Sequence, residues 1–486
     1  MNGKTTYRIS ILILCIIPLF LQYLHADGAD NVVLEPGFTE IRLGNFVEYV
    51  ENVDPSLTLN NIQNNADKFK FQASKTSHPS FGYSEKAVWL RFTVQNNTNK
   101  LLRWYLEFEY PLVDTVVLYV PERTGYKEIR TGDTLNYSSR PEQLYRTFVF
   151  PLKEPPGKRT YYMKVQSKGS LVAPLNAWSG DALVNQKFSE ITVMWLYYGI
   201  MIALLFYNLF IYFSIRERSY LYLVFFIVGI SLFSMVNSGL AFKYLWPSCT
   251  WWANKAHPFS VFVAITCVIL FTRSFLNTSI IQPVLDRVLR IILYGGFAGM
   301  AIVFFVDYYY GTQGSVLYAM VSAVLLLFTG TYQLFKKRRP AVFYMLASLS
   351  FILGTLLLSL RVYSAIPDIF LTEWGYQIGS SIMVLLFSLG LADKINTIRR
   401  EREFAVAALK ESEAKYRSLV ENAHDGIIVV IDGKPAFVNS AMLEMLNYNE
   451  KELYSRRLDD LVAETPEGQR VLQYYNGRMK GEKNIP

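Results

Sequence analysis

Between residues 190 and 393 the chain carries seven apolar stretches, at about 190–214, 219–242, 256–276, 287–307, 313–335, 340–361 and 371–393. A helix rises about 1.5 Å per residue, so about 20 residues cross the hydrocarbon core of a bilayer, and each stretch reaches that length. In lipid the backbone has to satisfy its hydrogen bonds within the segment, so each stretch predicts a helix, and the lipid bilayer is the first partner. An odd number of spans also places whatever precedes the bundle on one side of the membrane and whatever follows it on the other.

Basic residues fix which side is which. Arg216 and Arg218 lie around the first loop, Arg273, Arg287 and Arg290 around the third, and Lys336 to Arg339 in the fifth. The alternate loops hold Lys243, Lys255 and Arg361. Positive charge is retained on the cytoplasmic side, which predicts an external N-terminus and a cytoplasmic C-terminus. Trp195, Trp246, Trp251, Trp252 and Trp374 fall at the ends assigned outside, as interfacial tryptophans do. A leader agrees with this orientation. Lys4 and Arg8 precede an apolar run from Ile9 to Leu21 and the small residue Ala26, which reads as a signal peptide over 1–26.

Charge inside the spans separates the functions that seven helices suggest. Asp286, Asp307, Arg361, Glu373 and Asp393 all fall near span ends, whereas a proton or ion transporter holds ionisable groups at mid-membrane. A retinal protein needs a lysine within a span, and the seventh has none before Lys394. A receptor needs helices that shift against each other over small or polar contacts, for which Gly199, Asn208, Ser234, Gly295, Gly296, Gly299, Ser350, Gly379 and Gly390 are candidates. The net charge of +8 flanks apolar spans and forms no basic patch with interleaved aromatics, so no nucleic-acid partner is expected. Of three cysteines, Cys15 is in the leader and Cys267 in a span, leaving Cys249 and no intrachain disulfide framework.

Residues 37–180 follow a different period. Runs such as Ala87 to Val94, Trp104 to Glu109 and Thr115 to Val120 alternate apolar and polar side chains between Asn-, Gly- and Pro-rich turns, predicting an antiparallel all-β sandwich of jelly-roll type. No metal-ligand cluster or nucleophile–base pair stands out, so no catalytic and no metal-binding residue is assigned. Trp89, Trp104, Tyr105, Tyr145 and Trp178 are the candidates for stacking on a flat or sugar-like ligand, against the plainer reading of core aromatics.

Past the seventh span, residues 394–415 are charged, free of Gly and Pro, and predict a signalling helix. Ile395, Ile398, Ala405, Leu409, Tyr416 and Leu419 recur by threes and fours, the seam of a parallel coiled coil that would make a homodimer, interrupted by Arg402 and Ser412. Residues 416–486 then read as a helix, a β-branched strand, an Asp-Gly turn, a second strand and short helices, a partial α/β domain.

Three resemblances coincide with these divisions. Phe81-Gly82, Trp89-Leu-Arg-Phe92, Asn96, Leu106-Glu107, Tyr110-Pro111, Asp114 and Leu118-Tyr119 resemble the extracellular sensor of seven-transmembrane receptors with diverse intracellular signalling modules. Tyr198-Gly199, Tyr207-Asn208, Arg218-Ser-Tyr-Leu221 and Leu245-Trp-Pro247 resemble the bundle of the same family. Asp425-Gly426 and Val438-Asn439 are marks of a PAS domain, which the chain resembles up to a point before the last antiparallel strands. These resemblances imply a receptor of the bacterial inner membrane with a periplasmic sensor similar to carbohydrate-binding modules. They imply an extracytoplasmic, carbohydrate-like small ligand and a cytoplasmic signalling partner, or the histidine kinase or diguanylate cyclase domain that many relatives carry. A flavin photoadduct needs a cysteine, absent after Cys267, and haem needs an axial ligand, for which only His424 is present. No cofactor is expected.

Overall fold

The computed structural model describes residues 31–362, 365–367, 369–462 and 465–479, so the leader assigned to 1–26 lies outside the described residues. Two sheets form the first domain. The larger joins β1 (Val32–Leu34), β3 (Glu48–Val53), β4 (Gln72–Ala73), β5 (Ser80–Asn96), β7 (Thr115–Glu122), β8 (Gly125–Thr131) and β10 (Gly157–Val172) in the order β4-β3-β5-β10-β7-β8, with β1 parallel to β5. The smaller has the order β2-β11-β6-β9, from β2 (Glu40–Arg42), β6 (Leu102–Phe108), β9 (Phe148–Glu154) and β11 (Leu175–Trp178).

Period-two alternation makes this a sandwich. Leu90, Phe92, Val116, Leu118, Tyr161 and Met163 of the large sheet meet Trp104, Leu106, Phe108, Phe148 and Phe150 of the small one in a single buried core. The outer face of the large sheet is covered as well. A short helix, Leu59–Asn64, starts on a reciprocal cap in which the Thr58 N–H donates to Asn61 Oδ1 at 2.9 Å. It lays Leu59 and Ile62 over Val53, Trp89, Val117 and Tyr119.

The bundle consists of α1 (Gly180–Ile215), α2 (Arg218–Asn237), α3 (Thr250–Phe275), α4 (Pro283–Ile302), α5 (Tyr308–Phe335), α6 (Arg339–Val362) and α7 (Gly375–Glu421). All of these except α4 combine the length and apolar character of a membrane span. The helix α4 is as long as α2 but carries Asp286, Arg287 and Arg290 in its first turns. Its limits differ from the expected 287–307 because Pro283 starts the helix. Asp286 is satisfied there by Arg273 at 2.8 Å, Thr278 at 2.6 Å and Arg290 at 3.2 Å.

Helices touch through small and polar residues. Asn208 of α1 donates to Ser388 Oγ of α7 at 2.8 Å, and Thr272 of α3 meets Tyr344 of α6 at 3.1 Å. A Cβ on Gly354 would lie 2.1 Å from the Gly375 carbonyl oxygen, and one on Gly379 2.6 Å from that of Ser350, so α6 and α7 cross backbone to backbone. Gly296, Gly299 and Gly390 are equally crowded, whereas Gly199 and Gly295 face open space and carry no packing role.

Residues through Asp393 form one compact unit, and those from Lys394 a second. In the second, β12 (Ile428–Ile431) and β13 (Lys434–Val438) pair across Asp432-Gly433, both at positive φ, a hairpin turn that suits Asp-Gly. They are followed by α8 (Ser440–Leu446), α9 (Glu450–Ser455), α10 (Leu458–Leu461) and α11 (Pro466–Met479). Asn439 organises this unit. Its buried side chain accepts from Ile427 N at 2.8 Å and Met442 N at 3.1 Å, and donates to Val420 O at 3.0 Å and Asp425 O at 2.9 Å. It therefore caps α8 and ties it to the end of α7 and to the Asp425-Gly426 turn. A Cβ on Gly426 would press on the sulfurs of Met442 and Met445, at 3.0 Å each.

Asn439→Ala removes all four bonds and the cap, and is expected to destabilise this unit by about 2–4 kcal/mol. Limited trypsinolysis of the full chain should then cleave within residues 420–479 well before wild type does; equal resistance would contradict the role given to Asn439.

Candidate coupling site between sensor and bundle

One residue separates sheet from membrane helix. β11 ends at Trp178 and α1 begins at Gly180, with Ser179 as the cap whose Oγ accepts from Ala182 N. β11 is hydrogen-bonded on both edges, to β2 and to β6, so the small sheet is built onto α1 without a linker.

Charges close this junction. Glu107 of β6 and Arg146, just before β9, face Lys187 and Glu190 on the first turns of α1. Lys187 Nζ lies 2.5 Å from Glu107 and 2.8 Å from Glu190, and Arg146 pairs with Glu190. Glu107 also accepts from Thr147 Oγ1 at 2.6 Å and from Trp178 Nε1 at 2.9 Å, and Arg146 donates to Ser238 O, past the end of α2, at 3.0 Å. Burial pushes the Glu107 carboxyl above its usual range, opposed by the Lys187 charge. Alternating signs let four nearly buried charges coexist, each supplying the partner another needs.

Further contacts hold the sandwich to the bundle. Lys168 of β10 pairs at 2.7 Å with Asp307, which caps α5 by accepting from Tyr309 N. Arg361 near the end of α6 approaches Glu109 to 3.9 Å. Arg140 sits over the rings of Tyr137 and Phe148 at 4.5 and 4.3 Å and reaches Phe242 in the short helix Leu240–Tyr244 that follows α2. Beside it Asp133 and Asp114 form a buried carboxyl pair near Tyr110 and Tyr308. Burial first and Asp114 second raise Asp133 well above the ordinary carboxylate range, against Arg140. Asp114 is raised by burial and held back by the Lys168 N–H at 2.8 Å.

The matched families follow the same order along the chain. Residues 44–179 match the family described as 7TMR-DISM extracellular 2, residues 190–394 that described as 7TM diverse intracellular signalling, and residues 414–476 a PAS domain. The chain carries an extracellular domain and a transmembrane domain of the 7TMR-DISM type. No curated protein matches it significantly. It is a membrane protein with an extracellular domain, several transmembrane helices and a PAS domain, the make-up of a transmembrane signalling sensor.

Within this receptor the five aromatic ligand candidates divide. Trp104 is fully buried in the sandwich core, edge-on to Tyr161. Trp89 is fully buried under the Leu59–Asn64 helix, stacked on Tyr119. Neither offers a ring face to a ligand in this conformation. Tyr105, Tyr145 and Trp178 come together with Val149 and Leu183 at the junction, Trp178 buried and the two tyrosines partly exposed. The seam residues Ile398, Ala405, Leu409, Tyr416 and Leu419 are exposed along α7, Ile395 is partly covered, and Phe404 is exposed beside them. In the PAS unit Asp425 and His424 are exposed, and Asn439 is the residue with structural consequence. Arg146, Lys187 and Glu190 stand in no motif of the sequence; the spacing of Lys187 and Glu190 on one helix face ahead of an apolar run is the one signal available.

Lys187→Met leaves two buried carboxylates with one guanidinium and is expected to cost about 3–5 kcal/mol. The double variant Lys187→Met/Glu107→Gln should recover part of that loss in thermal unfolding followed by tryptophan fluorescence. Equal losses in single and double variants would contradict a coupled network.

Asp133 gives the pH dependence. Its folded pKa lies above the ordinary 3.8, so its contribution is fully present below about 3.8 and is lost as pH rises through the raised value. Asp133→Asn is therefore expected to raise the melting temperature at about pH 7.5 more than at about pH 4.5. The same change at both pH values would contradict it.

Proposed function

We propose that this receptor sits in the bacterial inner membrane with its sandwich in the periplasm and its PAS unit in the cytoplasm. A carbohydrate-like small ligand on the sandwich biases the pose of α1, and α7 carries the change to a PAS-linked output. The observation that carries this reading is the one-residue junction between β11 and α1, closed by the buried Glu107–Lys187–Glu190–Arg146 network. A displacement of the small sheet cannot be absorbed there without breaking buried charge pairs.

Orientation is supported by charge. The sandwich contacts the beginnings of α1 and α5 and the loop after α2, while Arg216, Arg218, Arg273 and Arg290 lie at the opposite helix ends. Tyr105 and Tyr145 are the candidate stacking rings that remain partly accessible.

The output half of the proposal rests on α7, one helix from Gly375 to Glu421 that holds both the seventh span and the apolar seam. We assign that seam to a parallel homodimer whose PAS units engage a cytoplasmic signalling partner or a catalytic domain of kinase or cyclase type. In a chain with its native cysteines replaced by serine, single cysteines at Ala405 and Leu409 are expected to cross-link in membranes. A Gly-Ser insertion after Ser179 should alter the cross-linking yield. Monomers alone would contradict the dimer, and a yield indifferent to the insertion would contradict coupling through α1.

A further inference from the structure

The bundle contains a cavity of about 440 Å³ lined by α2, α3, α5, α6 and α7, running from His257 and Tyr376 near the sensor-side helix ends to Val268, Leu327 and Tyr344 past mid-helix. Its room comes from small side chains where large ones would close it: Ala264, Ala319, Ala323 and Ser348. Nearly all of its wall is hydrocarbon or aromatic ring. It opens sideways between α5 and α6, where Met320 is 64% exposed and Ile352 is also accessible, toward the face that these helices turn to lipid.

Four polar side chains interrupt the apolar wall; Tyr344 is hydrogen-bonded to Thr272 and Ser348 to the Tyr344 carbonyl, and the other two differ from them. Tyr376, at the start of α7, is only 7% exposed, and its hydroxyl has no hydrogen-bond partner among the described residues. Nδ1 of His257, in the first turns of α3, is buried and likewise without one. Phe233 bridges them, 5.9 Å from the imidazole and 6.0 Å from the phenol ring. A buried donor or acceptor left unmade costs about 1–3 kcal/mol, and inside a bundle the alternative partners are few. A cavity of this size, largely apolar along its length and with its unpartnered polar groups at one end, fits a ligand built the same way.

We propose that this cavity is a binding site for a membrane-soluble amphiphile, a long apolar chain with an uncharged oxygen-bearing head. The chain enters between α5 and α6, and the head meets Tyr376 and His257. Such a ligand contacts α2, α3, α5, α6 and α7 at once, so its occupancy biases helix packing in the bundle independently of any ligand on the sandwich.

The test uses the full chain in nanodiscs of phosphatidylethanolamine and phosphatidylglycerol with a hexadecanol that bears a mid-chain diazirine. After irradiation, labelled peptides are mapped by mass spectrometry. Labelling is expected to concentrate on the cavity faces of α5 and α6 and to fall with unlabelled hexadecanol at low mole fraction. Ala323→Phe, which fills the cavity, should abolish it, whereas Val324→Phe on the neighbouring lipid-facing position should not. Tyr376→Phe should weaken hexadecanol competition by about three- to tenfold and leave capture of a diazirine hydrocarbon unchanged. Labelling spread evenly around the bundle, or insensitive to Ala323→Phe, would overturn the site. Labelling that unlabelled hexadecanol fails to displace would mean bulk acyl chains fill it, and would overturn the amphiphile assignment.

Discussion

Four charges buried at one junction have to stay paired, and the rest of the structure is arranged around that requirement. Glu107 and Arg146 belong to the sandwich, Lys187 and Glu190 to the first membrane helix. Neither half is electrostatically complete alone. Separating them would expose or strand charges at a cost of several kcal/mol per unpaired ion, whereas an all-apolar contact could slide with little penalty. The network therefore gives the sensor and the bundle a fixed registration, and the fusion of β11 to α1 through Ser179 supplies the covalent counterpart.

The other sensor contacts have different chemistry and different strength. Lys168–Asp307 is partly exposed and screened, and the Arg140 stack is half aromatic. They touch α5 and the short helix after α2, so the sandwich bears on several helix ends and holds α1 most tightly. A small motion of the small sheet would then be felt first by α1 and its neighbours α2 and α7, the helices it meets through Tyr198–Ser234 and Asn208–Ser388. The close crossing of α6 and α7 at Gly354, Gly375 and Gly379 places a contact with little slack at the base of the helix that leads to the PAS unit.

Much of this architecture is legible in the sequence, and the reasons are physical. The spans are visible because lipid leaves a chain no other way to satisfy its backbone, and their order with the sandwich and the PAS unit follows from changes of hydrophobic period. Asn439 is visible through the resemblance, though its four hydrogen bonds are not. The junction is hidden because Glu107 lies far from Lys187 in the chain and each charge alone reads as a solvated helix end or strand edge. The aromatic candidates are ambiguous for a related reason: Trp89 faces outward from the large sheet, and only the Leu59–Asn64 helix folding over it makes it core. Helix α4 is blurred because its paired Asp286 and the basic residues around it interrupt the apolar run.

The most direct test of rigid coupling is hydrogen exchange of the receptor in nanodiscs, read over the amides from Leu175 to Glu190. With rigid coupling these amides exchange as slowly as the strands of the sandwich core and open together with them as one cooperative unit. Fast exchange confined to Ser179 through Lys187, with the sandwich still protected, would show a flexible hinge at the junction and contradict it.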